Sequence, residues 1–196
     1  IILEQNPNSI HIIEKDNEIY DYLKIKYLHN KNVFIVNDDA LDFDFSKFRN
    51  IKVISNLPYN VSTKIILKLF YYSIYISEMI FMIQKEVALK FDYNIEKINK
   101  FKFLTKIYSN YERKFNVPPS VFKPKPKVES TVVSFKINKN KYDYKNLIKF
   151  SNLIFKNKRK KIINNFLIKD KKISIFLDKR VDELEYDDIL KIYNFF

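Results

Sequence analysis

Apolar and polar positions change period several times along this chain. Residues 9–14 (SIHIIE), 32–38 (NVFIVND) and 51–57 (IKVISNL) are short apolar runs, and each predicts a strand. Between the first two, DNEIYDYLKIKYL at 16–28 carries helical spacing, with Asp16 placed to cap its start. After the third run, Ile65, Ile66, Leu69, Ser73 and Ile76 share one face and predict a helix from about Ser62 to Ile76, followed by a strand in MIFMIQ at 79–84. This alternation implies an α/β fold with a parallel sheet covered on both faces. Further on, FKFLTKIYSNY (101–111) and STVVSFKI (130–137) read as strands joined by a Pro-rich loop, an antiparallel edge to the sheet. From about residue 140 the spacing is helical, over 143–156, 158–168 and 185–195. The expected organisation is an α/β domain at 1–138 and a small helical lobe at 139–196. No internal repeat is visible.

Composition narrows the class. Hydrophobic residues make up 46% of the 196 and charged residues 30%, which fits a folded, soluble chain. IILKLFYYSIYISEMIFMI (65–83) is the one membrane-like stretch, and Lys68 and Glu78 interrupt it. No secretory signal is visible, so a cytoplasmic protein, or one of an organelle matrix with an AT-rich history, is expected. With no cysteine and two unpartnered histidines, neither a disulfide framework nor a metal-site pattern is present. The net charge of +13 points to a polyanionic partner, nucleic acid first. Glycine is absent, where average usage would give about 14 residues. Alanine occurs only at Ala40 and Ala88, while Lys, Asn, Ile, Phe and Tyr abound, so part of the positive charge is coding bias. The chain opens on Ile1 without a methionine and is expected to lack its beginning.

Ligands of open α/β sheets sit beyond the carboxyl ends of the strands. Glu14, Asp39 and Asn56 fall at such ends. Asn56 is followed by Leu57, Pro58 and Tyr59, and the proline stops the ladder, so the loop turns its carbonyls toward a cleft. The exocyclic amine of adenine is a poor nucleophile because its lone pair is delocalised into the ring. Acceptors at the Asn56 side chain and the Leu57 main-chain carbonyl would bind its two N–H groups and favour the pyramidal geometry of attack. Tyr59 would stack on the base. In isolation, the same four residues read more often as an ordinary strand-terminal turn with a buried tyrosine.

SNLPYNVST (55–63) resembles the signature of the small-subunit ribosomal RNA adenine dimethyltransferases, the kasugamycin-resistance type. The resemblance continues in the family's order through IIEKD (12–16), VNDDAL (36–41), MIQKEVALKF (82–91), VPPSVFKPKPKVESTVVSF (117–135), NKRKKIINNF (157–166) and RVDELEYDDIL (180–190). It implies a Rossmann-like S-adenosylmethionine-dependent methyltransferase sheet with a small C-terminal helical domain. It also implies dimethylation of adenine amines in small-subunit ribosomal RNA during ribosome assembly. Alternatives are a non-catalytic assembly or RNA-binding factor and a methyltransferase acting on adenine in large-subunit RNA or DNA.

By position, the resemblance gives Glu14 and Lys15 the cofactor's ribose end, Asp39 and Ala40 its adenine end, and Asn56 a share in both cofactor and target amine. Asn56, Leu57 and Tyr59 match the amine-holding motif, and Phe122 matches the ring that closes over the target adenine. Asp38 stands where the family has glycine, so a strained or differently shaped turn is expected there. The family's Gly-rich loop after its first strand has no counterpart in this chain, which reads as N-terminally truncated and is expected to be inactive alone. Lys123, Lys125 and Lys127 flank Phe122 and are expected to grip phosphates beside an extruded base. Lys158, Arg159, Lys160 and Lys161 are expected to lie on a phosphate-gripping helix, with a solvated helix face as the plain alternative. The expected partner is small-subunit ribosomal RNA in a pre-30S-type particle, bound by a monomer without metal or membrane.

Overall fold

The structure, a computed structural model, describes residues 2–95, 97–164 and 173–196. The chain parts into two compact units, 1–47 and 48–196.

The first unit holds strand β1 (Ile10–Glu14), helix α1 (Asn17–Lys26) and strand β2 (Val33–Asn37). β1 and β2 pair in parallel, from Ile10 opposite Val33 to Glu14 opposite Asn37. Asp16 caps α1 as its position predicts, its carboxylate accepting the Ile19 N–H at 3.0 Å. Lys24 and Lys26 occupy the last turn, where the helix dipole favours cations. Phe43 and Phe45 are buried and meet edge to face at 5.0 Å.

The second unit is built on a four-stranded sheet ordered β3 (Ile51–Asn56), β4 (Ile76–Gln84), β6 (Ser130–Ile137), β5 (Ser109–Val117). β3 and β4 are parallel, and β6 is antiparallel to both β4 and β5. Helix α2 (Ser62–Tyr71) links β3 to β4, α3 (Lys85–Phe91) and α4 (Lys100–Tyr108) lead into β5, and α5 (Tyr144–Ile154) follows β6. α5 contacts α2 and α4. Short helices α6 (Ser174–Leu177) and α7 (Tyr186–Tyr193) follow. The core centres on Phe135 of β6, fully buried, with rings of Tyr111, Phe91, Phe70 and Phe81 at 4.9, 5.7, 5.8 and 6.2 Å. Truncating such a ring to alanine costs about 3–5 kcal/mol.

Three expectations are corrected here. The helix beginning at Ser62 ends at Tyr71, and after a 3₁₀ turn at Ser73–Tyr75 Ile76 opens β4. Ser77 fixes that start by donating to the Ile51 carbonyl at 3.0 Å, and alternating burial along β4 takes over from the helical period. Residues 101–108 are helical, not extended. Phe, Ile and Tyr favour strands, but Asn99 caps the segment by accepting the Phe101 and Lys102 N–H groups at 2.8 and 3.0 Å. Phe103, Leu104, Ile107 and Tyr108 then form one buried helical face. Lys158, Arg159 and Lys160 lie in a turn after α5, and Lys161 forms a bridge with Arg180 ahead of a 3₁₀ turn at Ile162–Asn164. α5 ends at Ile154, and the N–H of the next residue, Phe155, reaches the carbonyls of Ser151 and Leu153. The rest of the expected helix, 165–168, lies outside the described residues. Among the described residues no helix is long and apolar enough to cross a membrane.

Candidate active site

Asn56 is the last residue of β3, and the Leu57 N–H carries the parallel ladder one step further by donating to the Met82 carbonyl at 3.1 Å. Leu57 is buried, so the backbone at this point is fixed from both sides. Pro58 has no N–H to continue the ladder, and its carbonyl instead accepts the N–H groups of Val61 and Ser62 at 3.3 and 3.0 Å. The chain thereby turns from strand into α2 within five residues. The Asn56 side chain is exposed at this corner, with no hydrogen-bond partner among the described residues.

Tyr59 is held at both ends. Its carbonyl accepts the Ser62 hydroxyl at 3.3 Å, and its Oη meets the Ser130 Oγ at 3.1 Å. The residue remains 38% exposed, and it lies beside the hollow described below. Ser130, buried as the first residue of β6, is a site residue that sequence reasoning missed. Its place at the head of STVVSF is legible, but its pairing with a residue 71 positions away is not. The strand start is anchored beside it: the Lys85 N–H donates to the Glu129 carbonyl at 2.9 Å, and the two side chains form an ion pair at 2.6 Å.

Phe122 arrives from the loop between β5 and β6. A 3₁₀ turn at Pro119–Val121 precedes it, and its N–H donates to the Pro119 carbonyl at 3.3 Å. Asn56, Leu57, Pro58, Tyr59, Phe122, Pro124 and Pro126 line one open hollow of about 340 Å³. The four residues assigned to the target base are thus brought together. Lys123, Lys125 and Lys127 stand exposed on the same loop. Lys158, Arg159 and Lys160 are exposed too, while Lys161 pairs with Asp178 at 3.1 Å.

In the first unit, Glu14, Lys15, Asp39 and Ala40 gather at the carboxyl ends of β1 and β2. Glu14 Oε1 accepts the Asp16 N–H at 2.8 Å, which orients its carboxylate. Asp39 Oδ1 accepts the Leu41 N–H at 2.8 Å, and Oδ2 takes the Lys15 ammonium at 2.7 Å. That hydrogen bond, then the charge of Asp39, raises the Lys15 pKa above its ordinary value. Each carboxylate retains lone pairs for further donors. Of the two outcomes expected at Asp38, strain is not seen: among the described residues positive φ occurs at Asn6, Asn50 and Lys97. Asp38 instead accepts the Asp39 N–H at 2.8 Å, an arrangement open to any L-residue with a short carboxylate.

Residues 1–196 match the family described as ribosomal RNA adenine dimethylase. The ribosomal RNA small subunit methyltransferase A of Malacoplasma penetrans is 38% identical over 173 residues, 84% of this chain and 61% of that protein. The protein of the same name from Hydrogenobaculum sp. is 35% identical over 93% of this chain and 71% of its own length. Among solved structures, a dimethyladenosine transferase from Plasmodium falciparum superposes with a TM-score of 0.76 at 20% identity, covering 94% of this chain and 80% of its own. The 23S rRNA methyltransferase ErmE gives 0.71 at 18% identity, over 95% and 81%. These two likenesses establish the Rossmann-like methyltransferase fold.

Proposed function

Since this chain belongs to the ribosomal RNA adenine dimethylase family, we propose that it serves to methylate the exocyclic amine of adenines in small-subunit ribosomal RNA, with S-adenosylmethionine as donor. The observation that carries this reading is the hollow shared by Asn56, Leu57, Tyr59 and Phe122.

An extruded adenine fits there between an aromatic face from the β3 corner and one from the β5–β6 loop. The Asn56 side-chain oxygen and the Leu57 carbonyl accept the two N–H groups of the amine and draw its lone pair out of the ring. Ser130 sets the angle of the Tyr59 ring through the hydroxyl contact at 3.1 Å. When bound, the cofactor supplies an electrophilic methyl on its sulfonium. The residues present suit it: Glu14 offers a carboxylate to a pair of ribose hydroxyls, and Asp39 an acceptor to an adenine amino group. Lys15 and Ala40 complete that end, and Lys15 pairs with Asp39 at 2.7 Å. Lys123, Lys125 and Lys127 bind phosphates next to the extruded base, and Lys158, Arg159, Lys160 and Lys161 bind them without reading sequence. In this reading residues 139–196 act as the RNA-gripping lobe, and a monomer works on an incompletely assembled small subunit in the cytoplasm.

The test is methyl transfer by the full-length protein to small ribosomal subunits isolated unmethylated, with methylated adenosines quantified by mass spectrometry of the digested RNA. Methylated adenosine, lost on Asn56→Ala, is the expected result. A folded, cofactor-loaded protein that leaves these adenines unmodified overturns the reading.

A further inference from the structure

A second hollow lies at the other end of the four-stranded sheet. It encloses about 690 Å³ between the amino end of β4, the carboxyl end of β6 and the segment leading into α5. β4 runs nine residues, and at about 3.3 Å per residue the two hollows stand roughly 25–30 Å apart. Tyr71, Tyr108, Tyr142 and Tyr144 are among the residues that line it.

Tyr108 is the informative one. It is 2% exposed, its ring stacks on Phe70 at 5.4 Å and leans on Tyr144 at 5.9 Å, and its Oη has no hydrogen-bond partner among the described residues. Buried hydroxyls without partners are uncommon in native proteins, because the lost hydration goes uncompensated. Burial, reinforced by Tyr144 and Asp143, raises the phenol pKa, so Oη keeps its proton and remains a donor in need of an acceptor. Its neighbours are engaged elsewhere: Tyr144 donates to the Leu67 carbonyl at 2.8 Å, and Asp143 caps α5 by accepting the Asn146 N–H at 2.8 Å. At the edge of the hollow Lys136 and Lys139 are exposed.

We infer that this hollow binds a single unstacked nucleotide, its base among the tyrosine rings with a ring or carbonyl acceptor on Tyr108 Oη and its phosphate on Lys136 and Lys139. A nucleotide matches all three features together. It has a flat π-face for the rings, acceptor atoms on the base edge for the buried donor, and an attached anion for the lysines. The volume lies within the range of small-ligand sites. An extrahelical residue of a bound RNA and a free mononucleotide present the same chemistry. The site stands beyond the methyl-transfer reading, since no residue lining it lines the Asn56 hollow.

The experiment titrates adenosine 5′-monophosphate and a single-stranded RNA pentamer into the unsubstituted protein, Tyr108→Phe, Lys139→Glu and Asn56→Ala. Amide hydrogen exchange over residues 136–144 and the melting temperature are followed in each. Saturable protection of 136–144 by at least one probe is expected, weakened about tenfold or more by Tyr108→Phe or Lys139→Glu and kept by Asn56→Ala. Protection that persists in Asn56→Ala stands whether or not the catalytic reading does. Stronger protection by the pentamer assigns the site to RNA, and stronger protection by the monophosphate assigns it to a free nucleotide. Unliganded Tyr108→Phe keeps the ring packing and should melt at or above the unsubstituted protein. No protection with either probe overturns the inference. So does binding that Tyr108→Phe leaves unchanged, or a lower melting temperature in that variant, which would mark the hydroxyl as already satisfied by water.

Discussion

The two sides of the Asn56 hollow are built by different means. The β3 corner is held by backbone: Leu57 is bonded to β4 at 3.1 Å, Pro58 receives two N–H groups from the start of α2, and Leu57 is buried beneath. Opposite it, the Pro119–Lys127 loop rests on one 3₁₀ turn with two bonds of 3.3 Å and keeps its lysines in solvent. A group that must meet a reacting amine at fixed distance gains from the first kind of construction. A ring that must admit a base and then cover it gains from the second. The corner is therefore expected to govern rate, and the loop to govern capture.

The sharpest way to break this contrast is Asn56→Ala in the full-length protein. Losing one preorganised polar contact lowers methyl transfer by about 10²- to 10³-fold on the scale of oxyanion-type donors. RNA affinity should barely move, because the amide touches a single base. Single-turnover methylation beside an RNA-binding isotherm separates the two quantities. A wild-type rate in the variant, or a matching loss of affinity, removes the corner's assigned role.

On the loop side, Phe122→Ala should weaken capture of the extruded adenine by about 1–3 kcal/mol, the usual worth of one base–aromatic contact. The loss should appear in KM and be smaller in kcat. A fluorescent adenine analogue at the target position reports capture directly, and unchanged quenching in the variant argues that Phe122 serves only to shape the loop. Next in size is charge reversal at Lys158 and Arg159. Losing two phosphate contacts lowers the slope of log affinity against log salt by about 1–2 without changing which RNA is preferred. A salt slope equal to that of the unsubstituted protein makes the turn after α5 a solvated surface.

What was legible in the sequence follows the same division between local and distant causes. β1, β2, β3 and the Asp16 cap depend on neighbours within a few residues, and they stand where the pattern puts them. Asn56 to Tyr59 are contiguous, so a strand end followed by proline is enough to mark them in the sequence. In α4 the residue types favour strands, while its Asn99 cap and the burial of Phe103, Leu104, Ile107 and Tyr108 favour a helix. Ile76 shows the converse: its apolar spacing continues the α2 stripe, but pairing with Ile51 of β3 recruits it to the sheet. α3 leaves no clear mark, since a helix of seven residues directly after a strand offers little periodicity to detect. Ser130 and the unpartnered Tyr108 hydroxyl are set by tertiary packing alone, and no local pattern announces either.

The smallest expected effect tests the tie across the hollow. Ser130→Ala removes the hydroxyl that meets Tyr59 Oη at 3.1 Å and leaves both the buried strand start and the ring in place. A neutral hydrogen bond of this kind is worth about 0.5–1.5 kcal/mol net, or roughly a 2- to 12-fold change in the step that depends on it. Tyr59→Phe deletes the same bond from the other end while keeping the stacking face. If the contact acts by setting the ring's angle, each single change lowers the single-turnover rate by a similar factor, and the double variant is no worse than either. Affinity for the analogue-labelled RNA should stay within about twofold, since the ring that stacks is retained. Additive losses in the double variant would mean that Ser130 and Tyr59 act through separate contacts, and the corner would then owe its precision to the backbone bonds at Leu57 and Pro58 alone.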